Sequence, residues 1–230
     1  MKRYLITGAS RGIGRAIAEK LAGPDCTLLL HGRNREALAR TCRLVEQKSA
    51  KAVPLSYDLR RAVRVEKMID AIGPEPLDGL IHNAGVALVK PFEQITLAEW
   101  DTLFAVNVTA PFLLTQHLVP RMQTGSSIVN ILSIAAKNGF PGWSCYCMTK
   151  FALEGFSQCV REELRPRGIR VLNIYPAATN TEIWDGVQGE WPRDKMLLPE
   201  EIGDAVAYAL SRPAGVAVEN IDLLNLTGRL

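Results

Sequence analysis

Short apolar runs alternate with longer amphipathic stretches from one end of the chain to the other, and few fold classes tolerate that rhythm. Residues 4–6, 26–31, 52–57, 77–82, 127–132, 169–175 and 220–226 read as strands. Residues 13–21, 35–48, 63–71, a stretch from Leu97 past Asn107, 146–164 and 199–210 read as helices. The strand segments are apolar at nearly every position, the pattern of a sheet buried on both faces. Alternating strand and helix then gives a parallel sheet with helices on both sides. Right-handed crossovers make it doubly wound, with ligands bound beyond the carboxyl ends of the strands. With no linker, repeat or low-complexity tract, the expectation is one α/β domain over residues 1–230 with a substantial core. Residues 181–198 break the rhythm with Trp184, Gly186, Gly189, Trp191 and Pro192. They read as a substrate-binding lid carrying aromatic side chains, or else as an ordered surface loop.

Composition removes several function classes. Basic and acidic residues nearly balance, 27 against 24, and no run of five like charges occurs, so no nucleic-acid partner is expected. The apolar stretch at residues 4–6 is too short for a secretory signal, and no segment is expected to cross a bilayer, which leaves a cytoplasmic protein with no membrane partner. The five cysteines are scattered and odd in number, which fits reduced thiols. Cys145 and Cys147 flank Tyr146 and read either as redox-sensitive or, more simply, as small apolar fillers. Three histidines without metal-ligand spacing give no metal site.

The first predicted strand runs into Thr7-Gly8-Ala9-Ser10-Arg11-Gly12-Ile13-Gly14 and then a helix. Gly8 permits a tight turn, Gly12 lets backbone approach a pyrophosphate, and Gly14 lets the helix pack closely. The helix N-terminus adds unpaired amides and a positive dipole for the phosphates. The second strand ends in Leu30-His31-Gly32-Arg33-Asn34, without the acid that usually accepts the ribose 2′-hydroxyl of NAD. Gly32 leaves room there, and Arg33 and Arg11 offer guanidinium groups suited to a 2′-phosphate. NADP(H) is therefore favoured over NAD(H).

Tyr146 and Lys150 sit four residues apart, one turn of a helix, with Ser133 arriving from an earlier strand end. A nearby ammonium favours phenolate, so Lys150 is expected to lower the tyrosine pKa towards working pH. That tuning suits a general acid or base. Ser133 would hold a substrate carbonyl oxygen beside the phenol.

On these residues the chain resembles the short-chain dehydrogenase/reductase family, in its compact single-domain branch. The resemblance covers essentially the whole chain and rests on motifs in family order. They are the loop from Thr7 to Gly14, Asp58-Leu59, Asn83-Ala84-Gly85, Asn107, Ser133, Tyr146 with Lys150, and Pro176. It implies a single-domain doubly wound Rossmann fold with a mostly parallel seven-stranded sheet. It also implies a cofactor site of Gly8, Ser10, Arg11, Gly12, Ile13, Gly14, Arg33, Asp58, Leu59, Asn83, Ala84, Gly85, Tyr146, Lys150, Pro176, Thr179 and Thr181. In that scheme Asp58 contacts adenine, Asn83 to Gly85 line the adenosine ribose, and Thr181 binds the nicotinamide carboxamide. Asn107, Ser133, Tyr146 and Lys150 form the catalytic set. Asn107 interrupts its helix and holds a water linked to Lys150, Ser133 polarises the carbonyl, and Tyr146 moves the proton. One departure is Pro176-Ala177 where the family often has Pro-Gly, which implies a slight change of backbone.

The resemblance implies an NADPH-dependent reductase of a ketone or aldehyde, with Tyr146 as general acid or base. Val86 to Val89, Ile134, Asn138, Phe140, Trp143, Ile183, Trp184 and Trp191 are candidate substrate contacts whose bulk suggests an apolar or aromatic compound. Reduction of a 3-oxoacyl thioester on a carrier protein is the alternative within the family, and Arg193 and Lys195 would supply its basic patch. A non-catalytic NADP(H) sensor is the alternative from another class, and a complete Asn107, Ser133, Tyr146 and Lys150 set argues against it. Family members of this size assemble as homodimers or homotetramers through their long helices, and Phe151, Leu153 and Phe156 fit such a contact or an intramolecular core.

Overall fold

The computed structural model describes residues 1–187 and 189–226; the far end of the expected domain, 227–230, and Gln188 within the expected lid lie outside the described residues. Strands β1 (Lys2–Ile6), β2 (Cys26–His31), β3 (Lys51–Leu55), β4 (Leu77–His82), β5 (Met122–Ile131), β6 (Arg170–Pro176) and β7 (Asn220–Leu223) form one sheet. Its order is β3-β2-β1-β4-β5-β6-β7, and every neighbouring pair is parallel. The strand order reverses at β1, which lies between β2 and β4, and this reversal opens a crevice at the strands' carboxyl ends.

Successive strand residues point to opposite faces, and both faces are covered, which explains the continuous apolar runs. On one side Ile6, Leu28, Leu30 and Ile81 pack under α1 (Gly12–Leu21), α2 (Arg35–Glu46) and α7 (Pro199–Leu210) through Ile17, Val45 and Val206. On the other, Leu5, Leu29 and Leu80 meet Met68 of α3 (Ala62–Ile72) and Leu114 of α5 (Ala110–Leu118). β3 is an edge strand, the place where its Pro54, which lacks an N–H, is tolerated.

Several boundaries differ from expectation for local reasons. β5 begins at Met122, ahead of the predicted residue 127, because Gln123 and Thr124 give no apolar signal. Its pairing shifts register after Leu77↔Met122, where Gly125 has φ +88 and the Ser126 hydroxyl donates to the Leu77 carbonyl at 2.9 Å. β3 stops at Leu55, level with the end of its partner at His31, and β7 stops at Leu223, short of the predicted 226. The helix from Leu97 divides into α4 (Leu97–Phe104), a π-helical turn (Ala105–Thr109) and α5. A reciprocal cap opens α4: the Glu99 amide donates to Thr96 Oγ1 at 3.3 Å, and the Thr96 amide donates to Glu99 Oε2 at 2.8 Å.

The stretch Leu97–Arg121 is a 25-residue helical run, long and apolar enough to cross a membrane by length and composition. This corrects the expectation that no segment could. Leu103, Ala110, Leu114 and Leu118 on this run are buried in the domain, so its apolarity serves the core. In α6 (Ser144–Leu164), Leu153 packs with Leu132, Ala136 and Tyr175 and belongs to the core rather than to a subunit contact, while Phe151 is exposed.

Candidate active site

The crevice at the sheet reversal is shaped by the loop between β1 and α1. Gly8 (φ +70) and Gly12 (φ +53) adopt the left-handed backbone that side chains disfavour. Gly14 is needed for a different reason, since a Cβ there would lie 2.3 Å from the Gly8 carbonyl oxygen. Three neighbours hold this loop. Thr7 Oγ1 donates to the Ile81 carbonyl (3.1 Å) and accepts from the amides of Asn83 and Ala84 (3.0 Å each), which uses the full capacity of a hydroxyl. Asn83 Nδ2 donates to the carbonyls of Thr7 (2.8 Å) and Gly8 (3.2 Å). The buried His31 ring accepts from the Gly8 amide at Nδ1 (3.3 Å), and its Nε2 lies 3.1 Å from the Tyr57 carbonyl. A carbonyl only accepts, so Nε2 carries the proton, and burial pushes the imidazole down to about 4.

Beyond this loop lies a cationic corner. Arg11 and Arg33 are exposed there, and neither side chain has an ion pair or hydrogen bond among the described residues. Ser10 Oγ is buried without a hydrogen-bond partner among the described residues and packs so close to Gly32 that a Cβ on Gly32 would lie 1.8 Å from it. Arg15 and Arg60 nearby are engaged: Arg15 donates to the Ser10 carbonyl at 2.6 Å, and Arg60 grips Asp58 with a shortest contact of 2.6 Å. The hydrogen bonds from Arg60 hold the Asp58 carboxyl down to about 2, so this carboxylate already has a charged partner beside the expected adenine position. A positive-φ glycine cradle, an orphaned hydroxyl and the guanidinium groups of Arg11 and Arg33 fit a dinucleotide bearing an additional phosphate.

Ser133 follows β5 and opens a 3₁₀ turn (Ile134–Ala136), accepting from the Ala135 amide at 3.1 Å. Because Oγ accepts there, its proton remains available to another oxygen. Tyr146 and Lys150 face the same crevice one turn apart in α6. Lys150 Nζ donates to the Ile131 carbonyl at 3.0 Å and lies 5.6 Å from the Tyr146 ring centre. Burial lowers this ammonium to about 8. Burial raises the Tyr146 phenol to about 12, and a hydrogen bond with Ser133 offsets part of that rise. Desolvation sets the direction of this shift, so in this structure the phenol is raised where the spacing to Lys150 led one to expect a lowering. Asn107 lies in the π-helical turn, behind the crevice rather than in its wall. Its Oδ1 accepts from the Val86 amide (2.9 Å), and its Nδ2 donates to the Val86 carbonyl (2.9 Å) and Thr149 Oγ1 (3.0 Å). Both ends of the amide are engaged, so Asn107 braces the segment after β4 against α6.

The crevice has a volume of about 1230 Å³, and Asn107 aside, every residue of the expected cofactor and catalytic sets lines it. Pro176 ends β6. Ala177 follows in ordinary backbone, since Ser49 is the one non-glycine residue of positive φ among the described residues. Thr179 pairs with Leu197 in a parallel bridge, and a Cβ on Gly12 would lie 3.0 Å from Thr181 Cγ2. The expected lid is therefore anchored at both ends. Arg193 ties it further, donating to the Thr181 carbonyl (2.7 Å) and Asp185 (2.6 Å). Val86, Ile134, Phe140, Trp143, Ile183, Trp184 and Trp191 line the crevice as expected; Ala87, Leu88, Val89 and Asn138 do not. Cys145 and Cys147 are buried with thiols pushed up by desolvation, which favours the filler reading.

The sequence gives His31 and Thr149 no marked place in the site, and marks Thr7 only as the start of the glycine loop. A histidine closing an otherwise apolar strand directly beside the glycine loop was the available signal for His31. Nothing local marks Thr149, whose role depends on a residue 42 positions away.

A family model described as short chain dehydrogenase matches residues 2–190. The chain is 33% identical over 239 residues to the D-threitol dehydrogenase of Mycolicibacterium smegmatis, covering 97% of this chain and 90% of that one. It is 32% identical over 226 residues to the 3-oxoacyl-(acyl-carrier-protein) reductase FabG of Aquifex aeolicus, covering 93% and 91%. Its fold matches the X-ray structure of an alcohol dehydrogenase from the archaeon Thermococcus sibiricus complexed with 5-hydroxy-NADP. The TM-score is 0.90 at 27% identity, covering 100% of this chain and 99% of that one.

Proposed function

The chain belongs to the short-chain dehydrogenase family and is an oxidoreductase, and on that footing we propose that it reduces a ketone or aldehyde to an alcohol with NADPH. The observation that carries this reading is a pair of hydroxyl donors, Ser133 and Tyr146, facing one space beside the Lys150 ammonium.

The glycine loop and the N-terminus of α1 would receive the pyrophosphate, and Asn83, Ala84 and Gly85 the adenosine ribose. Ser10, Arg11 and Arg33 would receive the 2′-phosphate, which supports NADP(H) over NAD(H), as does the 5-hydroxy-NADP in the related alcohol dehydrogenase. Asp58 and Leu59 would flank adenine, Lys150 the nicotinamide ribose, and Pro176, Thr179 and Thr181 the carboxamide end. When bound, the reduced nicotinamide supplies the hydride. The chain supplies the proton and the electrostatics. A phenol held near 12 is protonated at neutral pH, the form a general acid requires in reduction. Tyr146 gives its proton to the substrate oxygen while Ser133 donates a hydrogen bond to the same atom, so the developing charge is stabilised more than the starting carbonyl. Lys150 then faces the phenolate left behind.

Reduction of a 3-oxoacyl thioester on a carrier protein is the second reading, supported by the FabG similarity. The Arg193–Asp185 ion pair speaks against it, because it neutralises half of the basic patch such a partner would use. A homodimer or homotetramer in the cytoplasm completes the reading; Phe112, Met148 and Phe151, exposed on α5 and α6, support association there. The test is NADPH consumption against a panel of ketones and aldehydes with the parent enzyme and Tyr146→Phe. The variant is expected to lose at least roughly a hundredfold in kcat/KM while binding NADPH normally, the scale of general acid catalysis. Near-normal turnover in the variant would overturn the role of Tyr146. No turnover of any carbonyl would favour the non-catalytic sensor.

A further inference from the structure

Three indole rings meet at the mouth of the crevice, beside the proton donor. Trp143 immediately precedes α6 and stands edge-on to Tyr146, ring centres 5.4 Å apart. Trp184 and Trp191 come from the segment after β6 and close on Trp143 at 5.8 and 6.0 Å, also edge-on. They touch each other at 4.6 Å.

The polar atoms of two of these rings are already committed. Trp184 Nε1 donates to the Thr179 carbonyl at 2.9 Å and Trp191 Nε1 to the Val187 carbonyl at 3.4 Å. Those bonds fix the rings on the chain and leave their hydrocarbon surfaces to the crevice. The nearby charges are turned elsewhere: Arg193 is paired with Asp185, and the Glu182 carboxylate lies towards Gly12 of the glycine loop. Lys150, beyond the Tyr146 ring, disfavours a cationic guest. A ring sandwiched between two others needs about 7 Å between their centres, twice a van der Waals contact. The observed spacings are shorter, so a flat guest lies against this wall rather than inside it.

We propose that Trp143, Trp184 and Trp191 form the subsite for an aromatic ring attached to the reacting carbonyl, so that aryl ketones and aryl aldehydes are the preferred substrate class. The proposal rests on the reductase reading above and narrows it. Trp143 contacts the Tyr146 ring directly, so a guest ring on the wall stands one ring's distance from the proton donor. An aromatic guest also gains the quadrupole complementarity of edge-to-face contact, which a saturated ring of the same volume lacks.

The experiment compares kcat/KM for acetophenone and cyclohexyl methyl ketone, which differ little in size, with NADPH saturating. Edge-to-face contacts with two or three rings predict an aryl preference of roughly tenfold or more in the parent enzyme. In the W184L/W191L variant the ratio should fall towards one, and in W184F/W191F, which keeps rings at both places, most of it should return. NADPH affinity measured on each variant reports an intact fold. A parent ratio near one, or a ratio that survives the leucine substitutions, would overturn the aromatic subsite while leaving the reductase reading standing. Absence of NADPH turnover with every ketone and aldehyde tried would overturn both.

Discussion

Ser133→Ala separates the two jobs that its hydroxyl performs. In the resting protein, Oγ accepts from the Ala135 amide at 3.1 Å, capping the turn that follows β5. Losing that bond costs about 1 kcal/mol of stability, the usual net value of one hydrogen bond. During reduction the same hydroxyl donates to the substrate oxygen as negative charge builds. Removing one such donor typically costs about 2.7–4 kcal/mol at the transition state, or roughly a hundred- to a thousandfold in kcat. A further loss adds to this, because Ser133 also restrains the upward shift of the buried phenol. Without it Tyr146 becomes a weaker acid. The assay is single-turnover oxidation of bound NADPH, which isolates the chemical step from product release, with NADPH affinity titrated in parallel. The expected result is a fall in rate of about two to three orders of magnitude at nearly unchanged cofactor affinity. Ser133 and Tyr146 converge on one oxygen, so Ser133→Ala combined with Tyr146→Phe should lose less than the product of the single losses. A fall smaller than about fivefold in the single variant would refute the donor role, given that oxyanion donors cost far more than this. A matching loss of NADPH affinity would assign the damage to the turn instead.

Two further outcomes follow from the charges lining the crevice. NADPH should bind more tightly than NADH, and Arg33→Ala should weaken NADPH by roughly tenfold or more while sparing NADH, the value of one charge-assisted hydrogen bond; equal titration curves for the two cofactors would refute the 2′-phosphate site. Burial lowers Lys150 to about 8, so its charge is present below that pH and lost as pH rises through it. Tyr146, near 12, stays protonated throughout, so kcat/KM for reduction should decline above about pH 8 on the titration of Lys150, and a profile flat to well beyond that point would refute the assignment.

Much of the scaffold was readable because the signals were local. β2, β4 and α7 carry continuous apolar or amphipathic patterns bounded by turn residues, and their limits agree with the structure. The glycine loop was equally plain, since the need for positive φ at Gly8 and Gly12 is written in the residue type. Features produced by distant contacts were hidden. The π-helical turn at Ala105–Thr109 leaves no compositional mark beyond Asn107 itself. The early start of β5 depends on Leu77 offering a carbonyl to Ser126. The proton affinities of Tyr146 and Lys150 could not be read from a four-residue spacing, because burial sets both and burial belongs to the finished fold. The meeting of Trp143 with Trp184 and Trp191 joins two segments that the sequence keeps well apart.

The Thr7–Asn83 lock also dictates when the cofactor loop can exist. Its hydrogen bonds join residues 76 positions apart, although all three loop glycines are synthesised within the first strand–helix–strand unit. That early unit contains the glycine loop without the atoms that hold it in shape. The loop is finished when β4 docks beside β1, a non-local closure of the kind that slows folding far more than it taxes final stability. A ligand that binds the finished loop and not its precursor then draws the chain towards the folded state by mass action. A cofactor bound at this loop would thereby favour its assembly as well as take part in turnover.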